Sequence, residues 1–408
     1  MTERYRILWI KTGPLHPLDT GGKLRTYYLL RELASRHDVT FLALNDQNGF
    51  PGREGTTGEY CHRFIEVPWK EPQNRGAQLY LNLLGNLFSS LPYAVQKYRS
   101  ARMRTEIGKA AASCDLIICD FLIPAVNLNM DLKIPKLLFQ HNVESTIWER
   151  RCRLQESLYG RLYFRVQWKR MLRFERAACS LFDGVVTVSP NDTKKLREGM
   201  RLTNVLGDVP AGVDTDYFRP QPELRRPGHI VFTGSMDWMP NEDAVFYFVR
   251  EIYPRIKAIM PGVFFTVVGR RPSARLRALQ GTDPSLRITG TVEDIRPYTA
   301  SASVMVVPLR IGGGTRIKIF ESMAMGVPVV STAIGAEGLP VSDGGDILIA
   351  DKPEDFARST VSVLKNGWLA ETISSNALRL VRTRHSWEAV SRVCESYIAE
   401  IAKRRRKG

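Results

Sequence analysis

Ile311-Gly312-Gly313-Gly314-Thr315-Arg316-Ile317-Lys318-Ile319-Phe320-Glu321-Ser322-Met323-Ala324-Met325-Gly326-Val327-Pro328-Val329-Val330 decides the fold of this 408-residue chain. Three glycines follow an apolar, strand-like run at 304–309, and 315–325 has helix-forming composition with no internal Gly or Pro. Gly326 suits the left-handed position that ends a helix, and Pro328 cannot prolong one. The order is strand, glycine loop, helix, strand. A glycine loop feeding a helix exposes unpaired amide N–H groups at the positive end of the helix dipole, which suits phosphate. Arg316 and Lys318 add two cations in the first turn, and Glu321 lies one turn beyond Lys318. Amides and cations would hold a diphosphate, and a carboxylate would accept hydrogen bonds from ribose hydroxyls, as a nucleotide sugar requires. The bland alternative is a tight turn before a helix with a solvated Arg–Glu face. Three glycines alone do not separate the two.

The same alternation extends in both directions. Runs at 5–10, 39–44, 63–67, 115–119, 136–140 and 184–189 read as strands, with helices at 23–36, 79–91 and 103–113 and a Gly- and Pro-rich loop at 11–22. The pattern loosens at 204–227 into Pro, Gly and Asp. A second series follows, with strands at 229–233, 264–268, 286–288, 304–307, 327–331 and 347–349 and a helix at 241–260. Short apolar runs alternating with amphipathic helices predict an α/β chain of two Rossmann-like, doubly wound domains facing a cleft. We divide it into an N-terminal domain 1–203, a linker 204–227, a C-terminal domain 228–384, and a helix 385–408 that packs back on the N-terminal domain and ends in a basic tail. Neither series has the Gly-x-Gly-x-x-Gly fingerprint; the first offers Thr12-Gly13-Pro14 and the second Thr233-Gly234-Ser235-Met236. NAD is therefore a poor candidate.

Composition bounds the function. A 44% hydrophobic, 25% charged chain is globular, and no apolar stretch is long enough to span a bilayer. The six cysteines are scattered without metal-ligand spacing, so they read as reduced thiols of a cytoplasmic enzyme with no metal site. A formal charge of +16 asks for an anionic partner. Nucleic acid is disfavoured, because no zinc finger, RNA-binding aromatic motif or basic zipper is present. A membrane surface fits better. From 148 to 176 there are nine basic residues against three acidic ones, with Arg161, Arg165, Lys169 and Arg173 at intervals of four beside Leu158, Leu162 and Val166. That is a basic amphipathic helix suited to anionic lipid, unless its leucines pack on the protein's own core.

With its flanks, the opening stretch resembles the donor-site helix of retaining GT-B glycosyltransferases, the large nucleotide-sugar family marked by two glutamates with seven residues between them. Val209-Pro210-Ala211-Gly212-Val213-Asp214-Thr215-Asp216-Tyr217-Phe218-Arg219-Pro220 resembles that family's linker, and Gly335-Ala336-Glu337-Gly338 its loop after the next strand. Thr187-Val188-Ser189 resembles the last strand of its N-terminal domain. The likeness is strongest to bacterial transferases of exopolysaccharide and other cell-surface glycans, and weakest over 45–102.

The resemblance implies transfer of a sugar from a nucleoside diphosphate, with retention and without a metal or other cofactor, to a glycan or polyprenyl-lipid-linked acceptor held by the N-terminal domain. It implies donor contacts from Gly21, Gly22, Gly234, Gly312, Gly313, Gly314, Thr315, Arg316, Lys318 and Glu321. His141, at a predicted strand end, matches the histidine that meets the donor sugar. Lys23, Arg25 and Asp120 fall on the acceptor side, although a strand-end Asp can simply cap a helix. One departure is plain: the first glutamate of the hallmark would fall at Gly313. We therefore expect Arg316 and Lys318 to carry the phosphate charge. The competing readings are an epimerase of the same fold and a nucleotide-sugar-binding protein without turnover.

Overall fold

The computed structural model describes residues 3–18, 20–46, 57–72, 76–155, 157–311 and 316–406. The chain forms two compact units, one of Met1–Pro210 with Ser391–Gly408, the other of Ala211–Val390.

Unit 1 is built on seven parallel strands: β1 (Arg6–Lys11), β2 (Asp38–Asp46), β3 (Arg63–Trp69), β4 (Leu116–Asp120), β5 (Lys136–Phe139), β6 (Gly184–Thr187) and β7 (Val205–Asp208). Their order is β3-β2-β1-β4-β5-β6-β7. The chain starts at β1, adds strands to one side, then returns past β1 and builds the other way. Ligands of such sheets bind where the direction reverses, outside the carboxyl ends of the strands, here between β1 and β4. The central strands are apolar on both faces because helices cover both sides, which is why β4 and β5 are buried throughout.

Unit 2 repeats the plan with β8 (His229–Thr233), β9 (Phe264–Val268), β10 (Leu286–Ile288), β11 (Val304–Val307), β12 (Val329–Ser331) and β13 (Leu348–Ile349), in the order β10-β9-β8-β11-β12-β13. Its reversal lies between β8 and β11.

Three segments differ from the sequence-based expectation. Val205–Asp208, inside the loose stretch 204–227, is a strand of the unit 1 sheet, paired with β6. The segment resembling the last strand of the N-terminal domain, at Thr187, is thus followed by one more. Within 241–260 the helix is interrupted: Met239–Tyr247 leads into a wider turn, Phe248–Ile252, before Tyr253–Ile259. Pro254 has no N–H for the carbonyl one turn back, so the regular ladder cannot run through. The basic region 148–176 is divided between the helices Glu144–Arg153 and Leu158–Leu181, the second opened by the Ser157 hydroxyl, which accepts from Gly160 N at 3.4 Å.

The C-terminal helix Trp387–Arg406 completes the core of unit 1 with its later turns. Arg36 Nε donates to Glu395 Oε2 at 3.1 Å and its NH2 to Ser391 Oγ at 2.7 Å. A Cβ on Gly184 would meet Ile401 Cδ1 at 2.8 Å, and one on Gly207 would meet Tyr397 OH at 2.2 Å. The helix lies against β6 and β7 that closely.

In unit 2 the ends of β8 and β9 meet backbone to backbone. A Cβ on Gly269 would sit 1.7 Å from the carbonyl oxygen of Gly234, an atom that cannot swing away. Gly269→Ala therefore has to shift the loop after β8. We expect a loss of about 3 kcal/mol in unfolding free energy, checked by chemical denaturation, whereas Gly262→Ala, with open space around it, leaves the midpoint within about 1 kcal/mol.

Candidate functional site

In unit 2, the helix Ile317–Ala324 follows β11 at the reversal point, as the opening sequence stretch predicts. Gly312, Gly313, Gly314 and Thr315 lie outside the described residues. Arg316 occupies the cap position and is buried, its guanidinium over the Trp238 ring at 5.9 Å. Lys318 Nζ donates to Asn241 Oδ1 at 2.9 Å and sits 4.1 Å from the Phe232 ring centroid. Asn241 in turn donates to Ser235 O at 2.9 Å, tying the loop after β8 to the lysine. Gly234, with φ of 155°, leaves room for both: a Cβ there would stand 2.7 Å from Asn241 Nδ2 and 2.8 Å from Lys318 Nζ.

His385 stacks on Phe320 at 4.1 Å and meets Ala211 O at 3.1 Å through Nδ1, holding the helix from behind. Thr332 Oγ1 donates to Leu309 O at 2.5 Å and accepts from Gly335 N at 3.0 Å, so the loop after β12 is fastened to the end of β11.

Burial sets the electrostatics of this group. Burial pushes the Lys318 ammonium down to about 7, with Arg316 adding to the effect and Glu321 opposing it. Burial pushes the Glu321 carboxyl up to about 7, with Lys318 pulling it back. Burial also lowers Arg316, while Glu337 works the other way. Two cations turned toward one strand end, each disfavoured by burial, gain from a nearby phosphate.

In unit 1 the corresponding position holds a buried ionic cluster. Lys11, the last residue of β1, donates from Nζ to Asp120 Oδ2 at 2.6 Å across the reversal point. Thr26 Oγ1 donates to the same oxygen at 2.7 Å, and Lys11 Nζ lies 3.1 Å from that hydroxyl. His141 Nε2 is 2.7 Å from Asp120 Oδ1. Phe121, at φ 71°, takes a backbone conformation unusual for a side-chain-bearing residue. Its ring stacks on His141 at 3.8 Å, carries Lys11 Nζ at 4.2 Å, and fills the space left by Gly22, where a Cβ would meet Phe121 Cζ at 2.7 Å.

Burial alone would raise the Asp120 carboxyl, but Lys11 and His141 hold it well below the usual range. Burial lowers Lys11 against the pull of Asp120. The His141 imidazole is pushed down to about 4 by burial, which outweighs Asp120. At neutral pH His141 is a neutral imidazole beside the Asp120 carboxylate.

Glu175 holds the histidine loop from outside. It accepts from Gln140 Nε2 at 2.6 Å, Glu144 N at 2.7 Å and Ser145 N at 2.9 Å. These include the first amides of the helix Glu144–Arg153, whose own cap residue, Val143, has no side-chain acceptor.

Of the residues singled out in unit 1, Gly21 and Gly22 open the helix Gly21–Ala34, Asp120 and His141 come together, and Lys23 points its ammonium at Pro17 O at 3.1 Å. Arg25 is placed differently from Lys23. It is buried and donates to Val209 O at 3.1 Å, and burial lowers its guanidinium to about 10. Lys11, Thr26, Phe121, Trp238 and Asn241 escaped the sequence reading. Only Lys11 carried a signal, a lone charge closing an otherwise apolar strand. Among the described residues, no group of three or more His, Cys, Asp and Glu side chains is placed to hold a metal ion.

The two doubly wound parallel sheets with their covering helices make this a GT-B fold. Residues 227–366 match the family model described as glycosyl transferases group 1. Over 397 residues the chain is 20% identical to an uncharacterized 44.6 kDa protein in the cps region of Klebsiella pneumoniae, covering 94% of this chain and 97% of that one. Among solved structures it is similar to sucrose-phosphate synthase from Thermosynechococcus elongatus, with TM-score 0.67, 18% identity and 98% and 99% of the two chains covered. It is also similar to Anabaena HepE in complex with UDP and glucose, with TM-score 0.63, 14% identity and coverages of 97% and 100%.

Because the folded-state pKa of His141 lies below its unfolded value, its contribution to stability is present above about pH 6.5 and is lost as pH falls through about 4. We expect an imidazole NMR titration midpoint near 4 for His141. Relative to His141→Gln, the wild-type protein should lose about 2 kcal/mol more between pH 7 and pH 5 in denaturant unfolding. A His141 midpoint near 6.5 and parallel pH curves would contradict the buried cluster.

Proposed function

We propose that this chain is a glycosyltransferase that moves a sugar from a nucleoside diphosphate to a glycan or lipid-linked acceptor, with retention of configuration and with no metal cofactor. The observation that carries this reading is the Arg316–Lys318–Glu321 group at the reversal point of unit 2, inside the segment that matches the group 1 family model.

Cleaving the bond between sugar and phosphate builds negative charge on the leaving diphosphate and positive charge on the sugar ring. Preorganised donors at the diphosphate stabilise that charge where it develops. Arg316 and Lys318 supply two, and Glu321 is the acceptor for ribose hydroxyls. With Gly313 where the hallmark's first glutamate would stand, the phosphate end of the donor carries more of the binding. Unit 1 takes the acceptor, and the neutral His141, its Nε2 turned to Asp120, meets the sugar through its other ring nitrogen. The uridine series is the first to test, since Anabaena HepE was solved with UDP and glucose. A polyprenyl-linked acceptor would be met at the cytoplasmic face of a membrane, and a part in exopolysaccharide assembly would agree with the cps-region relative.

Arg316→Ala with Lys318→Ala should weaken nucleoside-diphosphate affinity by at least about a hundredfold in calorimetry, at about 1.5–3 kcal/mol per charged hydrogen bond. Unchanged affinity would remove the phosphate assignment. Product analysis by mass spectrometry then distinguishes transfer or slow donor hydrolysis from an epimerised donor or from binding alone.

The lowered Lys318 gives an independent signature. With its pKa near 7, this side chain is largely neutral at pH 8, and an arriving diphosphate raises that pKa, so binding takes up a proton. Calorimetry in buffers of different ionisation enthalpy should show that uptake at pH 8, and Lys318→Gln should abolish it.

A further inference from the structure

The helix Leu158–Leu181 has one face exposed to solvent among the described residues, where the Arg161 guanidinium donates only to the nearby Gln155 carbonyl at 3.0 Å. Taken at 100° per residue, Leu158, Arg161, Leu162, Arg165, Lys169, Leu172, Arg173 and Arg176 fall within one arc, and all are exposed. The opposite side, with Gln167, Met171, Glu175 and Ala178, is buried. The only acidic side chain of this helix, Glu175, is inside and engaged with the histidine loop. The outer face is therefore all cation and hydrocarbon.

The hydrocarbon is concentrated at one end. Leu154 is 81% exposed, Leu158 77%, Tyr159 88% and Leu162 63%. These residues sit where the helix Glu144–Arg153 ends and the long helix begins. The leucines that could have packed on the protein's own core do not. A second apolar outcrop stands beside the same helix. Gln167 Nε2 and Arg170 NH1 bond Asn86, at 2.9 Å to its Oδ1 and 2.7 Å to its carbonyl, and Asn86 is flanked by Leu84 and by Phe88, which is 96% exposed.

We propose that this face is a docking surface for an anionic lipid bilayer. Leu154, Leu158, Tyr159 and Leu162 enter the headgroup–acyl boundary, while Arg161, Arg165, Lys169, Arg173 and Arg176 lie on lipid phosphates. Four bulky apolar side chains at the tip match the interior of a bilayer and have no counterpart in nucleic-acid backbone recognition. A second copy of the chain is a poor occupant, since two such faces would bring ten cations together without a carboxylate between them. The inference is independent of what the nucleotide site binds.

The test is co-sedimentation of the full chain with phosphatidylcholine vesicles, with and without phosphatidylglycerol. Binding should require the anionic lipid and fall with added salt. One cation near an anionic surface is worth about fivefold in affinity, so Arg161→Glu, Arg165→Glu and Lys169→Glu together should weaken binding at least a hundredfold. Leu158→Ser with Tyr159→Ser and Leu162→Ser should weaken anionic-vesicle binding by at least tenfold. All six positions are exposed, and unchanged thermal unfolding would show that both variants fold. A solvatochromic dye on Tyr159→Cys should shift to the blue on vesicles; the six native cysteines are buried. Absence of anionic-vesicle binding, equal binding by the variants, preferential binding of an RNA duplex, or a dimer that buries the dye without lipid would each overturn the proposal.

Discussion

A carboxylate with no exposure to solvent keeps its charge only while cations and donors surround it, and in unit 1 that constraint falls on Asp120. Its partners come from three separate places: Lys11 at the end of β1, Thr26 on the first helix, and His141 after β5. Each is fixed by the carboxylate and fixes it in return. The loop after β4 has to turn sharply to leave that space open, which is why Phe121 sits at positive φ and why Gly22 can bear no side chain. Glu175 pins the histidine loop on the far side, so the cluster is clamped from both ends.

Unit 2 solves the same topological position with the opposite charge logic. Unit 1 gathers cation and anion into a neutralised group. Unit 2 instead places Arg316 and Lys318 together, with Glu321 one turn away. Two buried cations held this close are stabilised by any anion placed beside them, and the glycines at 234 and 269 let the loop after β8 pack against β9 and the lysine. One doubly wound plan thus carries two charge arrangements, because the plan dictates only where strand ends converge.

Much of this organisation can be read from the chain alone, for a definite reason. Strands such as 229–233 and 264–268 are covered on both faces, so they stand out as unbroken apolar runs whose ends are unmistakable. β7 lacks that mark. It is an edge strand with one buried residue and an internal glycine, set among prolines and aspartates. The Lys318–Glu321 spacing is local and readable, whereas Asn241 lies 77 residues away and reaches the lysine only through the fold. Asp120 could be noticed as a polar strand end, but its dependence on a lysine 109 residues earlier could not. The exposure of Leu158 and Leu162 was equally invisible, because a heptad-like stripe looks the same whether it faces a core or water.

The discontinuity of unit 1 has a bearing on how the protein is made. Its sheet arises from residues 6–208, yet Cys394, Ile398 and Ile401, all buried, come from its final helix. A ribosome finishes every residue of Ala211–Val390 before it adds those three. The C-terminal sheet can therefore close first, while β6 and β7 wait with an uncovered flank for the last turns to emerge. For this chain the usual vectorial order, first domain first, is reversed at the step that matters.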